Sequence, residues 1–154
     1  MKWPFVLTIL LATFLAKSQD VAGADVPIPS RPLTESCQPL DMMDELKLKF
    51  DKGAYWQMKL RILQQYKGGT LMFLRIAPIE MQREMQNLLA DQRKDRMLVP
   101  EMYQGDLAQM TRELEQENMR ATRDLWHMMI RDAKQDVLWA DKCLSVANRQ
   151  IAGS

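Results

Sequence analysis

Two cysteines and one histidine carry the most reactive side chains of this sequence. Cys37, Cys143 and His127 are the only residues of their types. A cysteine nucleophile would need a thiolate, His127 as its base and a third group to orient the imidazole ring. A disulfide needs only that the two sulfurs meet in an oxidising compartment. Three scattered nitrogen and sulfur ligands cannot complete a four-coordinate zinc site, so we expect no metal and no cofactor.

The carboxylates do not form a general acid and base pair either. Glu113, Glu115 and Glu117 follow one another at two-residue spacing, which points their side chains to different sides of a helix. We therefore expect no catalytic residues and no enzymatic activity. The formal net charge is only +1, and charges of both signs alternate along the chain. Without a basic stripe to neutralise phosphates, nucleic acid is not an expected partner.

Residues 1–24 have the pattern of a secretory signal peptide. Lys2 precedes an apolar segment over residues 5–16, and the small residues Ala22 and Ala24 predict cleavage before Asp25. Twelve helical residues span about 18 Å, too short for a membrane anchor across about 30 Å of hydrocarbon. We expect a secreted, extracellular mature chain that does not span a membrane. That compartment favours a structural disulfide between Cys37 and Cys143.

The mature chain divides into an arm and a helical domain. Four prolines lie within residues 25–40, which predicts an extended, proline-rich arm. Residues 41–154 are rich in strong helix formers and predict one helical domain. We expect helices over residues 41–66 and 70–96, the second of them kinked or restarted at Pro78.

Local signals set the expected helix ends. Lys67-Gly68-Gly69 predicts the end of the first helix, and Thr70 predicts the N-cap of the second. Residues 97–105 contain Pro100 and Gly105 and predict a loop. Asp106 is the expected N-cap of a last helix that continues to about Asn148.

The last helix has an apolar stripe that we expect to face the core of a bundle. Its members recur mostly at three- and four-residue steps: Leu107, Met110, Leu114, Ala121, Leu125, Met128, Ala133, Val137, Ala140, Leu144 and Ile151. The stripe lapses at Glu117-Asn118.

The cysteine positions constrain the topology. Cys37 precedes the first helix and Cys143 lies near the end of the last, so a bond within one chain favours an even number of antiparallel helices. One long helix should then break, at Gly53 or else at Glu117-Asn118; otherwise the bond joins two chains. The expected fold is all-α, an up-down bundle of about four helices cross-linked by one disulfide.

Methionine and tryptophan are the candidate apolar binding residues. The sequence holds 13 Met and 4 Trp. Trp56, Trp126, Met128 and Met129 are candidates for binding an apolar ligand or a partner helix, because thioether side chains adapt to different ligands. The alternative is that they fill the core. His127, beside Trp126, would make such a pocket sensitive to mildly acidic pH if it were not simply a surface residue.

Arg93, Lys94 and Arg96 form a candidate processing site. Basic residues at this spacing precede the predicted loop, where a secretory-pathway protease would leave two disulfide-joined pieces. The alternative is an ordinary solvated helix end.

The layout of a signal peptide, proline-rich arm, Met-rich helical body and one distant cysteine pair resembles small secreted proteins of insect glands, particularly male accessory gland (seminal fluid) proteins. This resemblance implies a signalling or interaction protein with a protein partner or receptor, acting through an apolar surface. Two alternatives stay open: an extracellular carrier of a small apolar ligand in a Met-lined cavity, and a hormone-like precursor cleaved near Arg96. Odorant-binding proteins are also small, secreted and helical, but they have a six-cysteine framework that is missing here.

Overall fold

A computed structural model of the protein describes residues 30–153. The predicted signal peptide, with Ala22, Ala24 and the cleavage site before Asp25, lies outside the described residues, as does the first part of the predicted arm. The described chain consists of α1 (Met42–Phe50), α2 (Lys52–Leu98), a short 3-10 helix (Pro100–Tyr103) and α3 (Gly105–Ala152). The all-α prediction is confirmed for the described chain.

α2 and α3 form one long antiparallel pair. The helices have 47 and 48 residues, so each extends about 70 Å. Side chains connect them at both ends: Lys67 Nζ lies 2.6 Å from Asp141 Oδ1, and Arg96 Nη2 lies 3.0 Å from Glu115 Oε2. The structure is therefore a helical hairpin with a short third helix, and the expected bundle of about four helices is corrected to three.

Two aspartates separate α1 from α2. The Asp41 carboxylate accepts a hydrogen bond from the Asp44 amide at 2.9 Å, and the Asp51 carboxylate accepts one from the Ala54 amide at 2.9 Å. These side chains satisfy amide groups that have no partner within a first helical turn. The predicted break near Gly53 is present, but the residue that makes it is Asp51.

The helix end predicted at Gly68-Gly69 and the N-caps predicted at Thr70 and Asp106 are wrong. The end predicted at residue 96 lies two residues from Leu98, and the predicted loop over residues 97–105 holds the connection with the 3-10 helix. α2 continues through Gly68 and Gly69 and contains Pro78 without ending there. Thr70 is not an N-cap, because its hydroxyl donates to the Tyr66 carbonyl within the helix at 2.9 Å. Asp106 lies in the first turn of α3, whose N-cap is Gln104 without a side-chain hydrogen bond.

The disulfide between Cys37 and Cys143 is within one chain, with their Cα atoms 5.2 Å apart. Three helices are compatible with it because α1 has only nine residues, about 13 Å. The chain therefore begins and ends α1 near the same end of the hairpin, the end that carries the disulfide. The expectation of an even number of helices holds for helices of similar length. The two long helices α2 and α3 are such an antiparallel pair, and α1 is too short to change which end of the hairpin the chain reaches.

Residues 30–41 form neither helix nor strand. They fold into a turn in which the Thr34 amide donates to the Gln38 carbonyl at 3.0 Å, and Cys37 has a positive φ of 63°. The loop contacts both long helices: Lys59 donates to the Pro32 carbonyl at 2.9 Å and Trp139 to the Thr34 carbonyl at 3.0 Å. An extended arm is thus not confirmed for this part of the chain.

Two buried clusters hold the hairpin together. The cluster at the disulfide end contains Leu33, Tyr55, Trp56, Leu63, Tyr66, Trp139, Ala140, Ala147 and the cystine, and the central cluster contains Phe73, Ala77, Trp126 and Ala133. Small side chains at the contact let two helices approach closely, so alanine is the main aliphatic residue of α3 in this core.

The N-terminal half of α3 is rotated relative to the prediction. The residues expected to face the core there are exposed: Leu107, Met110, Leu114, Ala121, Leu125 and Met128. The buried residues follow them by one position in most cases: Ala108, Thr111, Glu115, Thr122 and Trp126. From Ala133 onward the predicted inner positions are correct, with Ala140 buried and Val137, Leu144 and Ile151 partly buried.

Candidate functional site

The two cysteines and the histidine do not form a reactive group. Cys37 and Cys143 are buried in their disulfide, and His127 is exposed on α3. Glu115 is buried, whereas Glu113 and Glu117, four residues apart, are both exposed on another side of α3. Among residues 30–153, no group of three or more His, Cys, Asp or Glu side chains could hold a metal ion.

The four candidate apolar binding residues do not come together. Trp56 belongs to the cluster at the disulfide end and Trp126 to the central cluster, where its Nε1 donates to Glu84 Oε2 at 2.5 Å. Met129 is half-buried beside Trp126, and Met128 is exposed. The two tryptophans are core residues, so the structure assembles no single pocket from the four.

Methionine lies on the surface of this protein. Seven Met side chains of the described chain are exposed: Met42, Met43, Met58, Met72, Met97, Met110 and Met128. Five more are half-buried: Met81, Met85, Met102, Met119 and Met129. Met81 and Met129 pack against the central cluster, but core filling does not explain the seven exposed methionines. This distribution also does not favour a Met-lined cavity, and it supports the use of methionine in an adaptable contact surface.

α1 exposes its apolar side. Met42, Met43, Leu46 and Phe50, which we call the α1 ridge, recur at three- and four-residue steps, and Phe50 is 89% exposed. Helical residues at this spacing lie on one side of the helix. A single exposed apolar side chain is ordinary, whereas a continuous apolar ridge on a nine-residue helix is typical of a binding surface.

A buried ion pair turns the ridge outward. Lys59 of α2 is 5% exposed, and its Nζ lies 2.5 Å from Asp44 Oδ2 on the inner side of α1. The same ammonium lies 5.5 Å from the centre of the Tyr55 ring. Because Asp44 and the half-buried Leu48 face α2, the apolar side of α1 must face solvent. Burial raises the pKa of the Tyr55 hydroxyl above its usual range, and the Asp44 carboxylate raises it further.

A second polar group stabilises the loop at the disulfide end. Arg31 Nε donates to Asp136 Oδ1 at 2.8 Å, and the Arg31 guanidinium lies 5.1 Å from the centre of the Trp139 ring. The Trp139 ring packs edge-on against Tyr66, with centroids 5.5 Å apart. Burial, and secondarily the Asp136 carboxylate, raises the pKa of Tyr66 to about 12. Arg31 was not a sequence candidate, although an arginine beside prolines near a cysteine is compatible with a loop fixed by polar contacts.

The tip of the hairpin is organised by Glu115. This buried carboxylate accepts hydrogen bonds from Arg96 at 3.0 Å and from the Tyr103 hydroxyl at 2.7 Å. Burial raises the pKa of Tyr103 to about 12, and the hydrogen bond to Glu115 contributes to the rise. The Thr111 hydroxyl donates to the Met102 carbonyl at 3.0 Å and fixes the 3-10 helix on α3.

The candidate processing residues lie in the last turns of α2. Arg93 and Lys94 are exposed, and Arg96 pairs with Glu115. A processing protease binds its substrate in an extended conformation, so cleavage after Arg96 would require the last turns of α2 to unwind.

No known protein family, curated protein or solved structure matches this chain. No helix within residues 30–153 is both long enough and apolar enough to cross a membrane.

Proposed function

We propose that this chain is a secreted, non-enzymatic interaction protein of the glandular, seminal-fluid type, which binds a protein partner or receptor through the α1 ridge. The observation that carries the proposal is the orientation of α1: its apolar residues point to solvent and its carboxylate Asp44 points inward. Apolar side chains that fold away from the core of their own domain are available to another protein.

The chemistry of the ridge suits the groove of a partner protein. Phe50 is a large, nearly fully exposed anchor, and Met42 and Met43 are flexible side chains that adjust to the shape of a groove. Lys47 and Lys49 are exposed on the same short helix and supply a polar rim. An amphipathic helix with anchors one turn apart is a common way to fill an apolar groove.

The α1 ridge is also preorganised. α1 is fixed at its start by the Asp41 cap, in its middle by the Asp44 to Lys59 ion pair, and at its end by Asp51. The disulfide at Cys37 ties the preceding loop to α3. Binding through a helix that is already ordered avoids the entropy loss of folding on the partner.

Extracellular localisation is part of the proposal. The intramolecular disulfide is compatible with an oxidising compartment, and the signal-peptide pattern of residues 1–24 supports the same assignment. Near-neutral net charge gives little long-range steering, so contact shape and apolar area would determine the partner.

Site-specific photo-crosslinking in the native secreted fluid tests this function. We would place p-benzoylphenylalanine at position 50 in one preparation and, as a matched control, at position 138, where Leu138 is 70% exposed on α3. We expect one discrete protein to be cross-linked from position 50 and not from position 138.

Competition makes the result specific to the ridge. An excess of unmodified protein should abolish the cross-link, and the same excess of a Met43→Ser/Leu46→Ser variant should leave it intact. Three results would contradict the proposal: equal cross-linking from positions 50 and 138, cross-linking from position 50 only to a second copy of the chain, and competition by the variant equal to that of the unmodified protein.

A further inference from the structure

We propose that the protein forms a two-fold symmetric dimer in which the N-terminal halves of two α3 helices pack antiparallel. The contact is the ridge of exposed apolar residues on α3, which we call the α3 ridge: Leu107, Met110, Leu114, Ala121, Leu125 and Met128. It extends over about 31 Å of helix. It is separate from the α1 ridge, so the proposal does not depend on the function proposed above.

The hairpin leaves this ridge uncovered. The side of α3 that contacts α2 in this half carries Ala108, Thr111, Glu115, Thr122 and Trp126, all buried. Leu107, Met110, Leu114, Leu125 and Met128 are between 41% and 49% exposed. In a two-helix hairpin, α2 covers only one face of α3, so a second apolar face on α3 stays exposed. An exposed surface of this extent and hydrophobicity is typical of an interface.

The spacing of the ridge identifies a second copy as its occupant. Successive ridge residues are 3, 4, 7, 4 and 3 positions apart, a series that reads the same in both directions. An antiparallel pair with its two-fold axis between Glu117 and Asn118 therefore sets Leu107 opposite Met128, Met110 opposite Leu125, and Leu114 opposite Ala121. A two-fold interface requires this self-complementarity, because the same surface serves both partners.

Charges beside the ridge favour the same arrangement. On one flank, the residues before the axis are acidic, namely Asp106, Glu113 and Glu117, and Arg120 and Arg131 follow it. In the antiparallel pair, Glu113 and Glu117 of one copy lie near Arg120 of the other, and Asp106 lies near Arg131.

Parallel pairing lacks this complementarity. In a parallel contact this flank of one copy faces the opposite flank of the other, so the acidic and basic residues beside the ridge do not meet each other. On this flank Asp124 has no opposite charge facing it in the antiparallel pair, and Glu117 of each copy lies beside Glu117 of the other at the axis. At the axis, Asn118 of each copy meets the other, where paired amides can fix the register.

Sedimentation equilibrium of the disulfide-bonded chain tests the proposal. We expect twice the chain mass for the wild type at micromolar concentration. Leu114→Glu places a charge in the apolar contact and should raise the dimer dissociation constant by about 100-fold. The matched control is Leu138→Glu, on the same helix but outside the ridge, which should remain dimeric. Circular dichroism of each variant verifies that the helices are intact.

Charge reversal tests the orientation. Glu113→Arg/Glu117→Arg should weaken the dimer by about tenfold, because two basic clusters then face each other. Adding Arg120→Glu to that variant should restore the wild-type dissociation constant. Three results would overturn the proposal. They are a wild type that is still monomeric at about 100 μM, a Leu114→Glu variant that dimerises as well as Leu138→Glu, and a triple variant whose dimer is no tighter than that of the double variant.

Discussion

The ammonium of Lys59 lies 2.5 Å from the carboxylate of Asp44, and both side chains are buried between α1 and α2. This contact sets the orientation of α1, because the carboxylate must point toward α2 to meet its partner. The exposed side of α1 is then the apolar one. The interaction surface on which the proposed function rests is thus determined by one polar contact.

Removing the carboxylate should destabilise the protein strongly. We expect Asp44→Ala to lower the free energy of unfolding by about 3 kcal/mol, because it leaves the Lys59 charge buried without its partner. Urea denaturation measures the change. Glu45→Ala, at the exposed neighbouring position, serves as the control and should have little effect. In the Asp44→Ala background, Lys59→Met should recover part of the loss, and a double variant no more stable than Asp44→Ala alone would contradict this account.

The glycines of α2 should behave as helix-interior residues. A Cβ atom added at Gly68 or Gly69 meets no other atom within 4 Å. We expect Gly68→Ala and Gly69→Ala each to raise the free energy of unfolding by about 0.5–1 kcal/mol, the usual difference between glycine and alanine inside a helix.

Gly105 provides the opposite case. Its φ of +56° lies in the left-handed region, where an alanine is strained by about 1 kcal/mol, so Gly105→Ala should destabilise the protein. Thermal denaturation of the three variants tests both expectations. Destabilisation by Gly68→Ala would support a helix end at that residue instead of a continuous α2.

The sequence predicts one helix boundary of this fold correctly and another wrongly. The sequence predicts a helix break at Gly53, within two residues of Asp51, because a glycine next to polar residues resembles a helix end. The same reasoning failed at Gly68 and Gly69, where Tyr66 and Phe73 on either side are buried against α3 and hold the helix together. Local propensity is a weak signal, and packing on both sides of a glycine pair overrides it.

Hydrophobicity alone does not predict which face of the N-terminal half of α3 is buried. The strongest apolar pattern in its N-terminal half is the α3 ridge, which faces solvent, whereas the core uses Ala108, Thr111 and Thr122. Small side chains carry little hydrophobic signal but permit close helix packing. In the C-terminal half, where the predicted inner positions are correct, alanine recurs at seven-residue steps at Ala133, Ala140 and Ala147.

The sequence does not identify the α1 ridge. Its candidates for an apolar binding site are Trp56, Trp126, Met128 and Met129, with core filling as the alternative, and the two tryptophans are buried. Tryptophan serves both in cores and as an anchor on surfaces, so its position in the sequence does not separate the two roles. The exposure of the α1 ridge depends on the Asp44 to Lys59 pair, a contact 15 positions apart that no local pattern indicates.

Alkaline pH should unfold the protein through its tyrosines. The pKa values of Tyr66 and Tyr103 are raised to about 12 in the folded state, from an ordinary value of 10.0. The folded state therefore favours the neutral phenols, and their contribution to stability is complete below pH 10 and is lost as the pH rises toward 12.

Urea unfolding at a series of pH values, together with the phenolate absorbance, measures this loss. The Tyr66→Phe/Tyr103→Phe variant is the control, and its stability should fall less steeply between pH 10 and 12. An identical slope for the wild type and the variant would show that other groups cause the alkaline loss.

Cleavage after Arg96 should depend on the tip of the hairpin. Glu115 holds Arg96 and Tyr103 in place, so we expect limited proteolysis by trypsin at Arg96 to be slow in the wild type and several-fold faster in Glu115→Ala. After cleavage, Cys37 and Cys143 keep the two fragments together until reductant is added. Rapid cleavage of the wild type at this bond would instead favour the precursor hypothesis.

Native mass spectrometry of the protein recovered from its secreted fluid, with and without reductant, tests whether the intact chain acts through an apolar surface. We predict an intact chain beginning at Asp25, with its internal disulfide, present as a dimer or bound to another protein and free of small-molecule adducts. A stoichiometric small apolar ligand released on denaturation would contradict an interaction surface and favour a carrier. Two fragments separated only by reductant would contradict it in favour of a processed precursor.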